Sequence, residues 1–229
     1  MNEFENILSD LNMYKEGDSF IQFSLPLLKT NLRLLGVKTP NIKKIAKKYS
    51  NTTIDGFIRN YSYETNFIYI SNLFLKANSI DECFEIVMSN VDLIDTWALT
   101  DSTYKYIKCC KSLETVEESI DKFLKSNKEF VIRYGFLLLF EYAKNIQYTK
   151  IILNKIFDSE YFYVTMVEAW LISVCAVYNY EDTFNYLLTS TIKKETKLKA
   201  ISKCVDSFRI SSDQKCKLKE LRQLLKVNF

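Results

Sequence analysis

The stretch Phe162–Tyr178, FYVTMVEAWLISVCAVY, decides how the rest of the chain is read. Its apolar residues recur at helical spacing and nowhere alternate with period two over a strand's length, so it reads as one helix. Glu168 interrupts the apolar run Met166–Val177 just as Arg133 interrupts the run Val131–Phe140. Both runs are too short to cross a bilayer.

The same spacing continues on either side. It predicts helices over Asn41–Tyr49, Tyr63–Ala77, Ile80–Met88, Asp95–Cys110, Glu114–Lys125, Lys128–Lys144 and Tyr148–Phe157, then over Asp182–Leu188, Glu195–Ser207 and Asp213–Leu225. Thr39-Pro40 supplies a cap and a first-turn proline for the first of these, and Ser79 with Asp81 marks the start of the third. Four glycines and two prolines are too few for the turns of an all-β fold. Short connections imply antiparallel neighbours, and helix pairs recurring roughly every forty residues suggest a HEAT-like repeat solenoid. The expectation is an all-α fold in a single domain over residues 1–229, with a globular helical bundle as the alternative.

Composition narrows the class further. At 48% hydrophobic and 26% charged residues the chain has the balance of an ordinary globular protein. Asn2, Glu3 and Glu5 open it with the wrong charge for a signal peptide, so the mature chain is expected to start at residue 1. Cys83, Cys109, Cys110, Cys175, Cys204 and Cys216 show no CxxC pairing and read as reduced thiols, mostly in helical apolar patterns, of a cytoplasmic protein. No helix joins a basic face to a Trp- or Phe-rich one, which argues against a membrane partner. The chain has no histidine, which removes the usual general base, the usual zinc ligand and any Ser-His or Cys-His pair. Catalysis, if present, must run on carboxylates or lysine, and no metal or other cofactor is expected.

The net charge of +3 hides an uneven distribution. Lys29, Arg33, Lys38, Lys43, Lys44, Lys47 and Lys48 crowd residues 29–48 without one acid. Residues 190–229 carry eleven basic residues against Glu195, Asp206, Asp213 and Glu220. Two separated positive zones suit a protein that touches phosphates with both, although lysines also simply solvate the outer faces of terminal helices.

Four positions stand out for chemistry. Trp97 and Asp101 lie four apart on one predicted helix and share a face, with Tyr104 and Lys108 continuing the stripe. Arg133 interrupts an apolar helix, and Trp170 ends a stripe with Tyr163, Met166 and Val167. Taken singly, these residues also fit a structural reading, with both indoles in the core, Asp101 solvated or capping, and Arg133 snorkelling.

Taken in order, they resemble the AlkD-like family of HEAT-repeat DNA alkylation repair glycosylases. The resemblance rests on Leu35-Gly36-Val37-Lys38-Thr39-Pro40, Asp95-Thr96-Trp97-Ala98-Leu99-Thr100-Asp101, Val131-Ile132-Arg133-Tyr134-Gly135, Tyr163 to Trp170, and Ile201-Ser202-Lys203 through Ser207-Phe208-Arg209-Ile210. It implies a right-handed solenoid with a concave basic groove, acting as a monomer on damaged duplex DNA in the bacterial cytosol and associated with the nucleoid when on DNA. It further implies a monofunctional glycosylase that releases cationic alkylated purines. Asp101 would be the catalytic carboxylate, Trp97 and Trp170 the aromatic walls, and Arg133 a DNA-backbone contact. Lys38, Lys43, Lys44, Lys47, Lys108, Lys203 and Arg209 would complete the DNA interface. A non-catalytic HEAT-like scaffold that binds nucleic acid or a protein is the competing class. Thr96 and Ala98 depart from the family pattern, where Trp and Asp are usual, and so does Glu168, which would either face solvent or crowd Asp101.

Overall fold

The computed structural model describes residues 3–52, 59–108 and 112–227; the regular structure among them is helical, apart from one isolated bridge between Lys15 and Val37. The chain divides into two compact units, Met1–Cys110 and Lys111–Phe229.

The first unit holds α1 (Glu3–Asn12), α2 (Asp18–Leu28), α3 (Thr39–Lys48), α4 (Tyr63–Lys76), α5 (Ile80–Ser89) and α6 (Trp97–Thr103). Helix α4 is its axis: Phe67, Ile68, Ile70 and Phe74 are fully buried, and α3, α5 and α6 pack around it. It starts where the sequence predicts, because the Ser62 hydroxyl accepts the Thr65 N–H while the Thr65 hydroxyl accepts the Ser62 N–H, which satisfies two end donors reciprocally. Ser79 caps α5 as expected, accepting the Glu82 N–H at 3.1 Å. The cap expected at Thr39 shifts: Thr39 is the first helical residue of α3, Pro40 follows in the first turn, and Lys38 takes the cap position without a side-chain bond. Helix α3 buries Ile42, Ile45 and Ala46, leaving Lys43, Lys44, Lys47 and Lys48 on its exposed side.

The second unit holds α7 (Glu117–Leu124), α8 (Glu129–Leu139), α9 (Thr149–Asn154), α10 (Phe162–Tyr178), α11 (Tyr180–Thr189), α12 (Lys194–Asp206) and α13 (Ser212–Val227). Helix α10 runs between both ends that its sequence predicts and lies between α8 and α12. Helix α11 packs on α10 and touches α9 and α13, while α7 pairs with α8 and α12 with α13. Gly135 permits the α7–α8 approach, since a Cβ there would stand 2.8 Å from Leu124 and 2.9 Å from Phe123 side-chain carbons.

Several predicted helices prove shorter. The one expected to run from Glu114 begins at Glu117, and α8 stops at Leu139 in a series of turns instead of continuing to Lys144. Helix α9 covers only Thr149–Asn154 of the expected Tyr148–Phe157. Cys83, Cys175 and Cys204 are buried free thiols, as expected, but Cys216 is exposed on the outer side of α13; Cys109 and Cys110 lie outside the described residues.

Candidate active site

The helix expected over Asp95–Cys110 is instead two short pieces, α6 and a 3-10 turn over Tyr104–Tyr106. Asp95 lies ahead of α6 because its carboxylate is used elsewhere. It accepts from the Thr30 hydroxyl at 2.8 and 2.9 Å and from the Asn31 N–H at 2.8 Å. Thr96 becomes the cap, accepting the Ala98 N–H and donating its own proton to the Leu28 carbonyl. The Trp97 indole N–H donates to the Leu27 carbonyl at 3.0 Å. Three consecutive side chains therefore tie the start of α6 to the end of α2 and the turn after it.

Trp97 and Asp101 sit one turn apart on α6, each partly exposed, as their spacing predicts. Continuation of the stripe does not hold. Tyr104 is buried in the 3-10 turn and Lys108 lies beyond it on the surface, because the α-helical register ends at Thr103. The Thr100 hydroxyl lies 2.8 Å from the Trp97 carbonyl and 3.2 Å from Asp101 Oδ1, which ties the carboxylate to its own helix.

Two neighbours escaped the sequence reading. Glu64, in the first turn of α4, is buried, and its carboxylate accepts the N–H groups of Leu35, Gly36 and Val37 at 2.9 to 3.2 Å. Gly36 reaches the required conformation with φ +83, which explains the glycine in Leu35-Gly36-Val37. Tyr63 beside it is buried, and its phenol is pushed well above its usual value, first by burial and then by the charges of Glu64, Asp101 and Asp95. Glu64, Asp95 and Asp101 are thus the acids close enough to Tyr63 to oppose ionisation of its phenol. Sequence could have hinted at this only by bringing Glu64 together with the Asp95–Asp101 stretch, well beyond it in the chain.

In the second unit Arg133 is only 5% exposed and its guanidinium donates to the Tyr163 carbonyl at 2.6 Å, so it joins α8 to the first turn of α10 and does not snorkel. Trp170 is 37% exposed, and its ring meets Phe140 edge-on at 4.6 Å. Glu168 does not face solvent. It is fully buried, with Oε1 accepting the Phe157 N–H at 3.1 Å and Oε2 without a hydrogen-bond partner.

Burial pushes the Glu168 carboxyl up to about 8, with Asp158 raising it further while the Phe157 N–H and Lys193 pull it down. A carboxyl with a higher pKa folded than unfolded supports the folded state in acid and opposes it in alkali. The cost starts as the unfolded chain ionises above 4.5 and stops growing once the folded group ionises near 8. Glu168→Gln is therefore expected to raise stability in mild alkali by roughly 4 kcal/mol and to change it little at about pH 4. Thermal melts of both proteins across that range read the effect directly.

The basic residues sort by what they touch. Lys43 and Lys47 are exposed on α3, Lys44 donates to the Tyr14 hydroxyl at 3.0 Å, and Lys38 pairs with Glu16 at 3.0 Å. Lys203 lines an open groove of about 560 Å³ with Lys194, Lys199, Met166 and Leu198, and Arg209 lies over the Tyr178 ring at 4.6 Å. Charge counting overstated the C-terminal zone: Lys197 is buried against the Ser190 carbonyl, and Lys193 is paired with Glu160.

Among the described residues no three His, Cys, Asp or Glu side chains gather as a metal site, and no helix is long and apolar enough to cross a membrane. No curated protein matches the chain. The family model described as DNA alkylation repair enzyme matches residues 15–203, which takes in the Leu35–Pro40 turn, α6, Arg133 and Trp170. The chain belongs to the DNA alkylation repair enzyme family.

Proposed function

We propose that this chain is a monofunctional DNA glycosylase that hydrolyses the N-glycosidic bond of cationic alkylated purines in duplex DNA. The observation that carries the reading is the partly exposed Asp101 carboxylate one turn from the Trp97 indole on α6. A purine alkylated on a ring nitrogen is already cationic and departs as a neutral base, so no general acid is needed. What remains is an oxocarbenium-like sugar and a water to attack it. Asp101 offers a fixed negative charge for the sugar and an acceptor that orients or deprotonates the water. The Trp97 face adds attraction for positive charge, worth about 0.5–2 kcal/mol depending on desolvation.

In the second unit the proposal takes α7 to α13 as HEAT-like repeats, on the grounds that α8, α10 and α12 pack side by side while α9, α11 and α13 form a second row. The right-handed superhelix and concave basic groove belong to the same proposal. Trp170 serves as an aromatic wall. Lys38, Lys43, Lys44, Lys47, Lys108, Lys203 and Arg209 serve as contacts to the DNA backbone, whereas Arg133, only 5% exposed and held by the Tyr163 carbonyl, braces the first turn of α10. We place the protein in the cytoplasm, acting as a monomer without metal or cofactor.

The test is release of free methylpurine from methylated duplex by the full chain, measured by chromatography. Release with accumulation of abasic sites supports the proposal; tight duplex binding with no release leaves the non-catalytic scaffold. Trp170→Ala is expected to slow release about tenfold or more, while costing stability about 2–4 kcal/mol from the part of the ring that is buried and its edge contact with Phe140. Single-turnover kinetics beside a thermal melt separate the two effects, and a collapse in Tm would assign the ring to the core.

A further inference from the structure

The turn between α12 and α13 displays a phenylalanine that packs on nothing. Phe208 is fully exposed, whereas Ile210, two residues on, is buried. This exposure does not come from a slack loop. The Ser207 hydroxyl accepts the Arg209 N–H at 3.2 Å, the Ser207 N–H bonds the Cys204 carbonyl, and Ser211 and Gln214 bond each other reciprocally at the start of α13. The Tyr180 hydroxyl donates to the Gln214 carbonyl at 3.0 Å and fastens the same end of α13 to α11. A rigid turn thus presents a bare aromatic ring to water, at the cost of keeping its whole apolar surface wet.

What stands beside the ring indicates what it takes. Arg209 is exposed, with its guanidinium over the Tyr178 ring at 4.6 Å, and Lys203 lies one turn back on α12, with Asp206 the acid between them. An aromatic face next to a braced guanidinium matches the two parts of a nucleotide, a base to stack and a phosphate to pair. We propose that Phe208 stacks on an unpaired nucleobase next to the duplex, with Arg209 on the adjoining phosphate, so that the second unit prefers duplex carrying a short single-stranded end. The proposal rests on the DNA reading above and adds a strand preference that the chemistry at Asp101 does not require.

The experiment compares affinity of the full chain for blunt duplex and for the same duplex with a three-nucleotide overhang. Wild type is expected to favour the overhang by about 5- to 100-fold, the worth of one base-on-ring stack. Phe208→Ala should erase that preference without changing blunt-duplex affinity or Tm, and Phe208→Trp should keep it. Equal binding of the two DNAs by wild type overturns the proposal, as does a preference that survives in Phe208→Ala. Rescue by Phe208→Leu as complete as by Phe208→Trp overturns it too, because an aliphatic side chain cannot stack. An altered oligomeric state in Phe208→Ala with unchanged DNA affinity would move the ring to a protein interface. Failure of wild type to bind either DNA would bring down the DNA reading as well, which distinguishes the two failures.

Discussion

Asp101→Asn is expected to lower methylpurine release by at least about 100-fold while leaving affinity for undamaged duplex within about twofold. The substitution keeps the shape of the side chain and leaves an amide oxygen where Oδ1 now lies 3.2 Å from the Thr100 hydroxyl. It removes the charge that the proposed oxocarbenium-like sugar requires and turns one acceptor oxygen into an amide donor, so the group that would orient or deprotonate the water is lost as well. Because the residue is partly exposed on α6, little packing depends on it and the Tm should hardly move. Undiminished release would put the chemistry on another group, and loss of duplex binding or folding would make Asp101 structural.

The largest effect on stability is expected at Glu64. Its buried carboxylate is the acceptor for the N–H groups of Leu35, Gly36 and Val37. Glu64→Ala strands these donors away from water, at about 1–3 kcal/mol each, a total comparable with the whole stability of a small domain. The alanine variant should fail to accumulate as folded protein. Glu64→Gln is the milder test: one amide oxygen keeps its acceptor role, while the amide nitrogen faces the Leu35 N–H where Oε2 now accepts. It should fold with a loss of about 2 kcal/mol, visible as a lower midpoint in urea. A Glu64→Ala protein that melts near wild type would mean that water or a rearranged turn satisfies those groups.

Helix α10 and the Trp97–Asp101 spacing were legible because they depend only on periodicity inside one segment. Glu64 was not, since in sequence it is one acid in a helix's first turn, an ordinary place for an acid. Its partners lie 27 to 29 positions away, and their donors are backbone groups that no side-chain pattern advertises. The overlong helix from Asp95 has the same origin: Asp95 looks like a good helix opener, but the Thr30 hydroxyl and Asn31 N–H claim its carboxylate. Arg133 looked like a surface cation because sequence carries no sign of the Tyr163 carbonyl that holds it. For Glu168 the sequence offers either solvent or a place crowding Asp101, because nothing in it gives a reason to bury an acid, and the unpartnered oxygen shows that burial comes at a real cost.

Helix α2 buries one side chain, Ser24, and leaves Phe23, Leu25 and Leu27 outside, yet its last carbonyls are gripped by Thr96 and Trp97. A weakly anchored segment is thereby yoked to the first residues of the helix that bears Asp101. Any displacement of α2 would therefore break two hydrogen bonds at the start of the helix that carries Asp101.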